Sequence, residues 1–160
     1  MIFTRELYLN QLIQKKQNGM VKIITGLRRC GKSFLLFNLF YNKLISQGVP
    51  ESHIIKIPLD NLDFIELRDK ISLYKFIKSK ITDNQQYYCF LDEIQLVKGF
   101  EEVLNSLLHI QNIDVYVTGS NSRFLVKDVI TEFRGRGDEI RLYPLSFKEF
   151  FENRDDDFIS

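Results

Sequence analysis

The sequence has no tryptophan, two cysteines, two histidines and no long apolar run. Cys30 and Cys89 are too few for a disulfide framework. His53 and His109 stand alone, so no Cys/His cluster has zinc-ligand spacing and no structural metal is expected. No run approaches the ~18 apolar residues of a membrane span. The opening MIFTRELYLN carries Arg5 and Glu6 where a signal peptide would have its apolar core. The expectation is a cytoplasmic protein without membrane contact. An excess of one charge is also missing: 22 Lys and Arg face 21 Asp and Glu, a net charge of +1. A dedicated nucleic-acid module shows a stronger basic footprint, so the charge neither requires nor excludes such a partner.

What is present is ordinary for a globular domain. The 160 residues, 44% apolar and 27% charged, suffice for one substantial core. Hydrophobic spacing predicts a helix over 4–17, with Leu7, Tyr8, Leu12 and Ile13 on one face, ended by Asn18-Gly19. Strands are expected at 20–25, 53–59, 86–91, 114–118 and 139–142. Between them lie helices at 33–46, 70–81 and 100–110. The helix at 33–46 is apolar on nearly every side, which predicts burial between a sheet and another layer. Ser146 to Glu149 has capping-box spacing and should open a last helix. Strands alternating with helices predict an α/β fold, a doubly wound parallel sheet with helices on both faces. Ligands in such sheets bind beyond the carboxyl ends of the strands.

The stretch IITGLRRCGKSFLLF lies at such an end. Its spacing, Gly26-x-x-x-x-Gly31-Lys32-Ser33, is that of a loop whose backbone N–H groups wrap a phosphate. Gly26 and Gly31 permit conformations and approaches that a Cβ would obstruct. The start of the next helix adds its positive end. Lys32 can reach β- and γ-phosphate oxygens, and Ser33 can place its hydroxyl on Mg2+. The nucleotide-binding set is Gly26, Leu27, Arg28, Arg29, Cys30, Gly31, Lys32, Ser33 and Phe34. Arg28 and Arg29 either add charge near the phosphates or point to solvent. Cys30 sits where a thiol pKa is lowered, although a small residue that fits the loop is the plainer reading.

The run YYCFLDE is an apolar strand ending in two carboxylates. Asp92 can hold the magnesium shell and Glu93 can accept a proton from an attacking water. The plainer alternative is a solvated loop after a core strand. Thr118-Gly-Ser-Asn-Ser122 ends the next strand, where Asn121 or Ser120 could orient water or sense phosphate; the same residues are also good capping chemistry. Arg136, in Arg134-Gly-Arg-Gly137, either supplies a cation to a phosphoryl-transfer transition state, in cis or from a neighbouring subunit, or belongs to a basic loop.

The phrases GLRRCGKS, CFLDEIQ, VTGSNS and RGRGDEIRLYPLSFKEF together resemble the AAA-superfamily ATPases of bacteria and archaea that carry a C-terminal domain of unknown function. The resemblance covers nearly the whole chain, including RELYLNQLI. It implies an ASCE-type P-loop core with strand order 5-1-4-3-2, and ATP with Mg2+ as its ligands. Lys32 and Ser33 match the Walker A positions, and Asp92 and Glu93 match Walker B. Asn121 lies in the sensor segment, and Arg136 matches the Gly-Arg pair before the fifth strand. No Asn-Lys-x-Asp guanine-reading pattern is present. Members of this family extend well beyond this length, so residues 1–18 are expected to be an N-terminal helical segment and 19–160 an ATPase core from a longer protein. Its partners would be ATP or ADP, a C-terminal domain outside this chain, other copies of itself, and a protein or nucleic-acid target that the sequence does not specify. The adenine pocket is looked for around Arg5 and Tyr8.

Three functions fit these residues. The first is a Mg-dependent ATPase coupled to conformational change, with Lys32, Glu93, Asn121 and Arg136 catalytic and Ser33 and Asp92 on the metal. The second is an ATP/ADP switch with little turnover of its own. The third and weaker is a small-molecule kinase, which would call for an Arg-rich lid where the sequence offers only the 134–136 loop.

Overall fold

The computed structural model describes residues 2–26, 31–119 and 137–142. Five parallel strands form one sheet: β1 Val21–Thr25, β2 Ile54–Pro58, β3 Tyr87–Asp92, β4 Ile113–Gly119 and β5 Gly137–Arg141. Their order is β2-β3-β4-β1-β5, which read from the other edge is the expected 5-1-4-3-2. The expected strand at 53–59 starts one residue later, because Glu51–His53 is a 3-10 turn.

The two faces follow from the two-residue period of a strand. On one face Ile23, Ile57, Cys89, Leu91 and Val117 meet helices α3 (Lys70–Lys80) and α4 (Phe100–Leu108), through Leu73, Ile77, Val103 and Leu107. On the other, Ile24, Tyr88, Phe90, Tyr116 and Ile140 meet α1 (Ile2–Gln14) and the helix α2 over residues 32–46. Alternate residues of β3 thus enter different cores, and all six are buried. Burial pushes the Cys89 thiol well above its ordinary pKa, so it behaves as a small apolar residue. Among the described residues no helix is long and apolar enough to cross a membrane.

Three expectations about helices need correcting. Leu7 is 59% exposed; α1 buries Tyr8 and Leu12 and half-buries Leu9 and Ile13. Helix α2 is not buried all round: Phe34 (54% exposed) and Ile45 face outward, while Leu35, Leu36, Phe40 and Leu44 face the sheet. It is also not a uniform α-helix, because Leu35–Phe40 forms a π-type turn between Lys32–Phe34 and Tyr41–Ser46. A π segment is frequent near functional sites, and here it follows the first turn after the glycine loop. The connection before α3 contains a 3-10 segment at Leu62–Arg68, started by Asn61 Oδ1 accepting from the Asp63 N–H at 2.9 Å. The helix expected from Ser146 lies outside the described residues.

Candidate functional site

The strand order places β4 between β3 and β1, so three carboxyl ends lie side by side: Thr25-Gly26, Asp92-Glu93 and Thr118-Gly119. Register fixes the neighbours. Leu91 pairs with Val117 and Ile24 with Thr118, which brings Asp92 against Thr118. Helix α2 rises from Gly31 at the same edge, with Ser33 in its first turn.

Ser33 Oγ lies 2.9 and 2.8 Å from the two carboxylate oxygens of Asp92 and donates to that carboxylate. Thr118 Oγ1 donates to Asp92 Oδ1 and accepts the Glu93 N–H at 3.0 Å. One buried hydroxyl therefore holds both acidic residues. Burial pushes the Asp92 carboxyl above its ordinary pKa; the Thr118 and Ser33 hydroxyls work in the opposite direction, and the charges of Asp60 and Glu93 add to the rise. A carboxylate and a hydroxyl converging in this way are hard oxygen donors of the kind magnesium takes, with its remaining positions filled by water and phosphate. These two residues fit the ion.

Glu93 occupies the left-handed region at φ 57°, unusual for a residue with a side chain. This turn redirects the chain from β3 into the 3-10 segment Ile94–Leu96. Gln95 Nε2 donates to Glu93 Oε2.

Lys32 is almost fully buried, and its Nζ donates to the Gly26 carbonyl at 2.8 Å across the loop. Gly31 has φ 85° and Gly26 φ 146°. A Cβ on Gly26 would sit 2.6 Å from the Leu142 carbonyl oxygen, because Leu142 closes onto β1 through its N–H to Thr25 O at 2.8 Å. Gly26→Ala therefore meets both a forbidden approach and a strained φ. We expect it to lower stability by about 2 kcal/mol in urea unfolding. A change within about 0.5 kcal/mol would show that the β5 end gives way freely.

The structure thus brings together Gly26, Gly31, Lys32, Ser33, Asp92 and Glu93. Phe34 is adjacent in sequence, but its side chain points outward. Leu27, Arg28, Arg29, Cys30, Asn121 and Arg136 lie outside the described residues. Tyr8, near which the adenine pocket was sought, is buried in the α1 core. Two residues at the site were not singled out from the sequence, Thr118 and Gln95. Thr118 was legible in principle, as the hydroxyl residue at the end of the strand beside Asp92, once the strand order is known. Nothing in the sequence distinguishes Gln95 from any polar residue in a turn.

A parallel sheet of this order, with Gly26 after β1, Gly31 opening the next helix and an acidic pair at the end of β3, defines a P-loop ATPase core. The family described as "AAA domain" matches residues 18–151, and the chain belongs to it. An uncharacterized protein of Haemophilus influenzae is 36% identical over 98% of this chain and 39% of its own length. An uncharacterized protein of Methanocaldococcus jannaschii, MJ1544, is 32% identical over 82% of this chain and 28% of its own. The chain thus spans about two-fifths or less of these relatives. Among solved structures, AMPPCP-bound DnaA from Aquifex aeolicus superposes with a TM-score of 0.60 at 16% identity, covering 94% of this chain and 48% of that one. C. elegans PCH-2 gives 0.58 at 14% identity, covering 88% and 42%. At such identities the likeness is one of fold.

Proposed function

We propose that this chain binds ATP with magnesium and hydrolyses it, and that hydrolysis drives a conformational change. The observation that carries the reading is the Ser33–Asp92 hydrogen bond at the foot of α2, with Glu93 next in the chain and tied to the same Thr118. The loop N–H groups and Lys32 bind the phosphates. Ser33 and Asp92 hold magnesium, which when bound neutralises phosphate charge. Glu93 takes a proton from water as the water oxygen bonds to the γ-phosphorus. The bond from that phosphorus to the β,γ-bridging oxygen breaks, leaving ADP and inorganic phosphate. Asn121 senses the γ-phosphate, and Arg136 offers a cation to the transition state. Residues 1–18 form a helical segment ahead of the core at 19–160. The whole protein is cytoplasmic, carries a further C-terminal domain and self-associates.

Phosphate release from ATP by this chain is the direct test, in magnesium and in excess chelator. Turnover should fall about 100-fold or more without the ion, in line with the loss of a principal electrostatic contributor. Turnover indifferent to chelator would remove Ser33 and Asp92 as metal residues. Tight ATP binding without any turnover would instead favour the nucleotide switch.

A further inference from the structure

Gln95 is half-buried in the turn after β3, between the buried residues Ile94 and Val97. Its Nε2 donates to Glu93 Oε2, while its own Oε1 is buried and meets no donor among the described residues. Buried carbonyl oxygens are nearly always paired, because an unpaired one loses its hydration without return. A side chain selected for the fold alone would not keep such an atom, since a similarly shaped apolar side chain would fill the place without the penalty. Its amide has one evident task, which is to hold the Glu93 carboxylate.

That carboxylate needs holding. The Glu93 backbone is pinned by the Thr118 hydroxyl at its N–H and by the left-handed turn. Beyond the backbone lie three rotatable bonds. A base must reach its proton within hydrogen-bond distance, and misplacement by about 1 Å can reduce a rate on the order of 100-fold. A donor on Oε2 narrows the orientations that the carboxylate can take. We propose that Gln95 is a positioning residue for Glu93, retained for the carboxylate at the expense of the fold. The inference rests on the reading of Glu93 as the base.

The test compares wild type, Gln95→Met, Glu93→Gln and the double variant in single-turnover ATP hydrolysis with magnesium and protein in excess. ATP affinity and melting temperature are measured for each. Gln95→Met keeps length and apolar packing while removing both amide atoms. It should slow hydrolysis about 10-fold or more with ATP affinity unchanged. Its melting temperature should be equal to or above that of wild type, because the orphaned oxygen is gone. In the Glu93→Gln background the same change should slow nothing further, since Gln95 acts only through that carboxylate.

Gln95→Glu, which keeps the shape but replaces the donor with a second carboxylate, should also slow hydrolysis and covers the case in which the Met variant folds poorly. A rate within twofold of wild type overturns the proposal. So does a faster rate, a slower rate accompanied by a lower melting temperature in both variants, or a loss that persists in the double variant. If Glu93→Gln hydrolyses ATP like wild type, the reading of Glu93 as base has failed and this inference goes with it. If Glu93→Gln is inactive and Gln95→Met is not, the inference about Gln95 alone has failed.

Discussion

Glu93→Gln is expected to lower ATP turnover about 10²- to 10⁴-fold, the range of a lost general base, while ATP affinity stays within about threefold. The substitution is nearly isosteric and removes only the ability to take a proton. The features that hold residue 93 in place survive it. The left-handed turn and the bond from the residue 93 N–H to Thr118 Oγ1 are backbone features. The new amide oxygen can still accept from Gln95 Nε2. The residues proposed to bind phosphate, Lys32 and the glycine loop, follow another strand and are untouched by the substitution. A fall in turnover with unchanged binding is thus the signature of a chemical role. A parallel fall in affinity would mean that the acidic pair shapes the nucleotide site. Retained turnover would remove Glu93 from the mechanism.

The largest effect on stability should come from the opposite end of the sheet. Lys22 on β1 and Asp114 on β4 are both buried and form an ion pair across adjacent strands. Asp114 also accepts the Gln17 N–H at 2.8 Å and the Tyr116 hydroxyl at 2.7 Å. Lys22 in turn donates to Asn18 Oδ1 at 3.2 Å and lies 4.8 Å from the Tyr116 ring centroid. The carboxylate thus ties the turn after α1, where Gln17 has φ 59°, to the middle of the sheet.

Asp114→Ala takes the charged partner from the Lys22 ammonium and leaves a backbone N–H and a phenol hydroxyl without their acceptor in a buried place. Breaking one side of a buried pair costs about 3–5 kcal/mol, a large share of the 5–15 kcal/mol that keeps a typical domain folded. Urea unfolding at pH 7 should show a loss of that size.

The loss should also depend on pH. Burial lowers the Lys22 pKa, and the attraction of Asp114 opposes that shift. Without Asp114 the folded-state pKa falls further below the unfolded value of about 10.4. Between those two values the unfolded chain binds the extra proton, so stability rises with pH. The variant should therefore recover part of its loss between pH 7 and pH 9 relative to wild type. Equal losses at both pH values would mean that Lys22 is not what makes the substitution costly.

Much of this architecture is legible from local pattern. The strands are marked by short apolar or β-branched runs, the helices between them by apolar spacing and length, and some ends by residues that suit few other places. Asp69 illustrates the ends: its side chain accepts the Ser72 N–H at 2.9 Å and starts α3 where the periodicity begins. The glycine spacing and the acidic pair were legible for a similar reason, since the roles proposed for them each demand particular residue types at a fixed spacing just after one strand. The illegible parts depend on neighbours distant in sequence. Leu7, Phe34 and Ile45 are apolar residues on apolar helices, and composition cannot say which of several apolar stripes meets the sheet.

By itself the sequence determined the α/β alternation, the glycine spacing of Gly26 and Gly31 ahead of Lys32 and Ser33, and the identity of Asp92 and Glu93 as the acidic strand end. These depend on residues close together in the chain, where backbone geometry and side-chain chemistry act over a few positions. Only the tertiary structure decided that Thr118 would hold both acidic residues and that Asp114 would neutralise Lys22 from 92 residues away. In a parallel sheet, neighbouring strands are joined by long crossovers. Which hydroxyl faces which carboxylate is therefore set by strand order and register, and those are settled by the packing of the two cores.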